Sequence, residues 1–367
     1  MSRPRAEMMP TVTVPVLGVT MPPNAPPPTG PPVIPAGTPP YATPYAPPAR
    51  RSDRARPTTP LEYEHALRGP LHHWVKALVS PMVLIGLFLV LMVVFLVVFL
   101  LAALASGVSP SDEAAWNAWG EDQSNPVVFA LSNLLLAGLI PVVMLTTWIV
   151  SGQRPGIVSS VAGRFRWRWA AVCALVAALV WGVVLGLGAA FPQLLGGDEG
   201  GSSERPSTWL WLIGLTLLTT PLQAAGEEYL FRGWVMQWVG SFVPSRIAAV
   251  ALSCLVSAAA FASAHGSFHV WILLDLAVFA VAAVLLTWRT GGLEAACALH
   301  AVNNIAILAT VAIVGGFDEA FVQSDTTGSP VGVLTTAIPL AVMGTAIWVL
   351  AGRLGIDRRT TPQEARP

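Results

Sequence analysis

Charge is scarce in this chain. Asp, Glu, Lys and Arg make up 11% of its 367 residues, against 54% hydrophobic residues. An ordinary soluble domain carries about 25% charge. The few charges are also bunched between long apolar runs, which excludes a water-soluble fold and identifies lipid as the main solvent. The formal net charge is zero. Nothing therefore draws the chain towards nucleic acid, and no nucleic-acid partner is expected. Cysteine is scarce too. Cys173, Cys254 and Cys297 fall inside apolar runs without CxxC spacing, so they read as small buried hydrophobes, not as a zinc or redox site. The helical zinc-protease motif HExxH is missing. A cleavable signal peptide is not expected either, because the first apolar run begins near Ala77; the first membrane helix itself directs insertion.

Proline, by contrast, is concentrated at one end. Pro22 to Pro48 reads PPNAPPPTGPPVIPAGTPPYATPYAPP. Such a stretch buries no core and lacks backbone donors. Residues 1–65 are therefore expected to form a disordered proline-rich tail, either simply solvated or offering a polyproline surface. Arg50, Arg51, Arg54 and Arg56 follow as a basic patch suited to anionic headgroups.

Beyond the tail, apolar runs of about 20 residues recur, each long enough to cross a bilayer. They predict helices near 81–105, 126–150, 169–191, 207–226 (continuing to about 239), 247–265, 269–288, 293–316 and 331–352. The fold class is thus all-α: a polytopic bundle of about eight transmembrane helices over 66–356, followed by a short tail at 357–367. Alternate loops differ in charge. Arg68 and Lys76, then Arg154, Arg164, Arg166 and Arg168, then Arg246, Arg289 and Arg353 lie on one side. Asp112, Glu113, Glu121, Asp122, Asp198, Glu199, Glu204, Asp318, Glu319 and Asp325 lie on the other. The positive-inside rule makes both termini cytoplasmic, and an even number of crossings agrees. The expected location is a plasma membrane of bacterial type.

Ionisable groups inside hydrocarbon are expensive, so each one within a span is a candidate for function. Three clusters stand out. In Glu227-Glu228-Tyr-Leu-Phe-Arg232, Glu228 and Arg232 share a helical face and can pair, while Glu227 points elsewhere and is left available as a general base. In Phe261-Ala-Ser-Ala-His265, the ring lies one turn below the imidazole. In His300-Ala-Val-Asn-Asn304, two hydrogen-bonding side chains share a face, as oxyanion stabilisation requires. Taken singly, each has a structural alternative: a snorkelling helix end, a packed histidine, interhelical hydrogen bonding. Taken together, they are hard to dismiss as unrelated. Asp275 reads either as a proton relay or as a pairing group within the bundle, Asn133 as packing, and His269 and Glu294 as groups near helix ends.

The ordered set EExxxR, FxxxH, HxxxN resembles the CPBP family of CAAX proteases and bacteriocin-processing enzymes, also called the Abi family. The resemblance covers about 207–310. It implies an intramembrane endopeptidase acting on a membrane-associated peptide or protein within the lipid bilayer. It implies that Glu227, assisted by His265, activates a water, that His300 and Asn304 stabilise the oxyanion, and that Glu228, Arg232 and Phe261 support the site. It implies no cofactor, although zinc on Glu227, His265 and His300 is the alternative. Rival functions are a non-proteolytic scaffold or immunity protein and a proton-coupled transporter using Asp275 and the histidines. One tension remains. Full crossings place His265 near the acidic face and His300 two turns from the basic face, so the turn after the fifth helix must be sunken and covered by protein.

The charge alternation is testable. A reporter active only outside the cytoplasm, fused after Asp325, is expected to give signal, and the same reporter after Arg359 is expected to give none. The reverse pattern contradicts the orientation.

Overall fold

A computed structural model describes residues 51–191 and 204–362. The proline-rich segment 22–48 lies outside the described residues, as do 192–203 and 363–367. Among the described residues the helices are α1 Arg51–Ala55, α2 Trp74–Ala105, α3 Glu113–Glu121, α4 Pro126–Ala137, α5 Leu139–Ser151, α6 Trp167–Ala190, α7 Trp209–Glu228, α8 Val235–Phe242, α9 Arg246–Ala264, α10 Val270–Thr290, α11 Glu294–Val314 and α12 Pro330–Arg353. No strand interrupts them there. Seven helices, counting α4 and α5 as one, are long and apolar enough to cross a membrane. The expected eighth exists as α7, which runs through a π-helical turn, Tyr229–Trp234, into α8. Its buried threonines, Gln223 and two glutamates lower its hydropathy below that of a lipid-facing span.

Local chemistry explains the helix ends. Asn125 caps α4 by accepting from Val127 N at 2.9 Å, with Pro126 in the first turn, where no backbone donor is needed. Ser329 and Pro330 repeat the arrangement at α12. Gly152 and Gly291 end α5 and α10 in the left-handed conformation. The core is built by α7 packing on α4 and α11, α11 on α6, and α10 between α9 and α12. Two close approaches make this possible. A Cβ on Gly226 would stand 1.9 Å from Leu136 O, and one on Gly240 would stand 1.8 Å from Glu64 O. The first lets the break between α4 and α5 press against α7 one residue before Glu227.

The sequence boundary at 65 needs correction. The folded region begins by residue 51. Tyr63, a member of a 3-10 turn at 63–65, is fully buried and its hydroxyl donates to Val158 O. His65 bonds Val243 O at 2.9 Å, and Arg68 donates to Gly240 O and Ser241 O at the end of α8. The C-terminal segment joins the same cap. Thr360 N donates to Leu61 O at 2.8 Å, and Glu62 binds both Arg359 (2.8 Å) and Arg246 (3.3 Å). Composition pointed to a tail, but the buried Tyr63 and these backbone pairings order the part of it from 51 onward.

The loops segregate by charge as well. Ser124 N and Oγ donate to Asp318 at 2.9 and 2.5 Å, and Thr208 donates to Ser124 O, so the acidic loops converge at the end opposite the arginine-rich cap.

Glu64 is fully buried in that cap, with Arg246 Nε at 3.7 Å. Burial pushes its carboxyl up to about 7, against the opposing pull of a backbone N–H and of Arg246 and Arg358. A carboxyl whose pKa is raised on folding holds its proton more tightly when folded. Its contribution to stability is therefore present at acid pH and lost as pH climbs from about 4.5 through about 7. Thermal melts in detergent are expected to show the wild type losing stability over that window relative to Glu64→Gln. Parallel curves for the two proteins contradict the assignment.

Candidate active site

The two adjacent glutamates end up in opposite environments. Glu228 is fully buried. It accepts from Arg232 Nη1 at 2.9 Å and from His300 Nδ1 at 2.7 Å. Arg232 is also fully buried, with its guanidinium 4.4 Å from the ring centre of Phe261 and 5.5 Å from that of Phe279. Rings so placed attract a cation through their quadrupoles. Glu227, one residue earlier, lies on the wall of a cavity of about 720 Å3. Its Oε1 accepts from Gln223 Nε2 at 2.6 Å, and its Oε2 stands 3.6 Å from His300 Nε2. One carboxylate is thus spent on the ion pair while its neighbour faces open space.

Long-range bonds position α11 against this turn. Leu293 N donates to Ser159 O at 2.9 Å, and Ser159 Oγ bonds Tyr229 Oη at 2.6 Å, immediately after Glu228. Gln237 donates to Ile157 O from the far side of the π turn. Glu294, buried at the start of α11, is held by Arg166 through contacts of 2.8 and 2.7 Å. The loop 157–166 therefore links the π turn to the first turn of α11, two turns below His300. π turns are uncommon and cluster at functional sites, and this one directly follows the two glutamates.

Glu227, His265, His300 and Asn304 all line the cavity. His265 bonds Phe261 O through Nδ1 at 2.8 Å, and its ring packs on Phe261 with 4.6 Å between centroids. The His300 ring stands edge-on to the same phenyl group, with 6.0 Å between centroids. The turn after α9 is covered by protein, as full crossings would require. The turn after α9 bends at Gly266 in the left-handed region, and the segment 315–329 folds over it. Ser267 donates to Thr326 O, and Gly328 N donates to His269 Nδ1. Phe321 and Val322 from the same segment line the cavity. Asn133, read as packing, donates to Thr219 at 2.7 Å between α4 and α7.

Five polar cavity residues escaped the motif reading: Gln123, Ser132, Gln223, Asn303 and Thr336. Gln223 joins Glu227 to Asn304, whose Nδ2 donates to Gln223 Oε1 at 3.4 Å. Its position four residues before Glu227 on an apolar helix was the available signal. Among the described residues no three His, Cys, Asp or Glu groups gather as a metal site. Glu228 engages Nδ1 of His300, and Phe261 O engages Nδ1 of His265.

Residues 206–306 match the protein family described as type II CAAX prenyl endopeptidase Rce1-like. That segment is Rce1-like. The match spans all three motifs, and with the apolar helices it makes the chain an integral, multi-pass membrane protein. The chain is also similar to "Uncharacterized protein YyaK" of Bacillus subtilis (strain 168), 26% identical over 150 residues, which is 39% of this chain and 50% of that protein. The chain thus spans half the length of this curated relative. No solved structure matches it.

The Rce1-like centre carries a stability prediction. Arg232→Ala leaves Glu228 buried with only His300 as partner, which costs on the order of 3–5 kcal/mol. Its melting temperature in detergent is expected to fall well below that of Arg232→Met combined with Glu228→Gln, which removes both charges together. Equal melting of the two variants contradicts the pairing.

Proposed function

We propose that this chain is an intramembrane endopeptidase that hydrolyses a peptide bond of a membrane-associated protein or peptide. The observation that carries the reading is the split between Glu228, committed to Arg232 and His300, and Glu227, free on the cavity wall beside an imidazole at 3.6 Å. General-base catalysis needs this: an available carboxylate within reach of a water, held in place by groups that do not consume it.

In this reading Glu227 takes a proton from a water in the cavity as the oxygen attacks the scissile carbonyl carbon. His265 assists. Its Nδ1 proton is donated to Phe261 O, so Nε2 is the acceptor and orients the same water. The carbonyl oxygen becomes an oxyanion. His300, held by Glu228 through Nδ1, presents Nε2 3.6 Å from Glu227 Oε2 and is the imidazole that stabilises the oxyanion in this reading. Asn304 Nδ2, held only by a 3.4 Å contact with Gln223, supplies another donor. Glu227 then returns its proton to the leaving amine as the carbon–nitrogen bond breaks, and two peptide fragments depart. The mechanism is glutamate-dependent and calls on no cofactor. Both termini face the cytoplasm in this reading, and the bilayer delivers the substrate.

Glu227→Gln is nearly isosteric but accepts no proton at neutral pH. It is expected to abolish cleavage while melting like the wild type. Asn304→Ala is expected to retain activity reduced on the order of 100- to 1000-fold, the loss typical of one oxyanion donor. The measurement is a comparison of membrane proteomes from cells carrying the wild type or Glu227→Gln. A precursor that accumulates only with the variant identifies the substrate. Unaltered processing of every membrane protein sinks the endopeptidase reading.

A further inference from the structure

The arginine-rich end of the molecule holds a second cleft, which shares no lining residue with the cavity above. It lies where α2 starts and where α5 and α8 end, and Leu71, His72, Lys76, Ser151, Trp238 and Ser241 line it. It holds about 30 Å3, room for one or two water-sized groups. Among the described residues no aspartate or glutamate lines it. The cations around it are held by main-chain oxygens. Lys76 Nζ donates to Leu71 O at 2.7 Å, Arg68 Nε to Gly240 O at 2.7 Å and Arg51 Nη2 to Ile149 O at 3.1 Å. The Arg51 side chain lies against Gly152, next to Ser151, and its charge reaches Lys76. A carbonyl orients a cation but leaves its charge in place, and the Lys76 ammonium has donors to spare.

His72 feels the imbalance. Burial holds its imidazole below the ordinary histidine value, and Arg68, His73 and Lys76 push the same way, against a hydrogen bond with the Ser241 backbone. Elsewhere in the cap Arg246 and Arg359 face Glu62, whereas this cleft gathers positive charge with no counter-charge in its lining. Its setting suits a lipid. Trp74, the first residue of α2, is exposed, as an aromatic anchor at the water–lipid boundary would be. Val79, one turn deeper than Lys76, and Met82 beyond it are exposed within a membrane-spanning helix, so a phosphate over Lys76 would have its acyl chains beside them. Ser151 and Ser241 donate to Thr147 O and Gln237 O, which leaves their lone pairs for a headgroup hydroxyl.

We propose that Lys76, Arg51 and His72 form a binding site for the headgroup phosphate of an anionic phospholipid, in the leaflet on the arginine-rich side. Trp238, which lines the cleft, donates to Ala77 O, and Trp234, the last residue of the π turn, donates to Ser80 Oγ. An occupied cleft therefore braces α2 against α8 and the π turn, and binding is read as stability whether or not the chain cleaves peptides.

The test titrates the full chain in detergent with a short-chain phosphatidylglycerol, with phosphatidylcholine of the same chains, or with inorganic phosphate. Native mass spectrometry reads the bound lipid, and the melting temperature reads stability. Phosphatidylglycerol is expected to bind more tightly than phosphatidylcholine and to raise the melting temperature, and inorganic phosphate to leave it unchanged. Lys76→Gln is expected to weaken phosphatidylglycerol binding about fivefold, the value of one cation near an anionic headgroup, and Lys76→Arg to retain it. Arg168→Gln removes an exposed cation at the same side of the membrane and is expected to bind within about twofold of the wild type. Equal binding of the two lipids overturns the site, as does equal weakening in Lys76→Gln and Arg168→Gln. A melting shift with inorganic phosphate that matches the lipid's overturns the lipid and makes the ligand a soluble anion. If Lys76→Gln fails to fold, Arg51→Gln, at an exposed side chain, replaces it with the same expected weakening, and binding unchanged in that variant overturns the site.

Discussion

A guanidinium with no exposure to solvent organises the centre of this molecule. Arg232 has one carboxylate partner, Glu228, at 2.9 Å. Its Nε and Nη2 find no oxygen acceptor among the described residues. The faces of Phe261 and Phe279 stand there instead. Burying a charge is tolerable only when its surroundings supply an opposite charge and polarisable groups in fixed places. That requirement ties α9 and α10 to the π turn through two phenyl rings and ties α11 to it through His300. Phe261 therefore has two duties. One face of its environment steadies His265 and the other covers Arg232, so the three motifs are parts of a single packed unit.

The same constraint explains why Glu227 is free. Glu228 already holds the guanidinium and Nδ1 of His300, which leaves Glu227 only the more distant Nε2 of that ring at 3.6 Å. Gln223 then fixes Glu227 through a neutral amide at 2.6 Å. An amide orients a carboxylate without cancelling its charge, whereas a second arginine at that place would have drawn Glu227 into another ion pair.

Much of this was readable from spacing. Four-residue offsets inside apolar runs put Glu228 with Arg232, Phe261 with His265 and His300 with Asn304, because one helical turn is a local property. Helix positions followed from apolar length for the same reason. What escaped depends on contacts distant in the chain. Gln223 matters because Asn304, from another helix, arrives beside it. The covering of the α9–α10 turn depends on how 315–329 folds back, which no periodicity encodes. Residues 51–65 looked like a continuation of the proline-rich stretch, and only the partners of Tyr63 and Glu62, more than 90 residues away, reveal them as part of the folded body.

Those partners also set an order of events. Leu61 pairs with Thr360 across 299 residues of sequence, and Glu62 with Arg359 across 297. On a chain made from its N-terminus, Leu61 and Glu62 must wait for these last partners until nearly all the helices have been made, although Tyr63 meets Val158 and His65 meets Val243 earlier. The cap over Glu64 and the end of α8 is accordingly the last part to close during biosynthesis. A ribosome that stalls before residue 359 would release a protein with its helices in place and that cap still open.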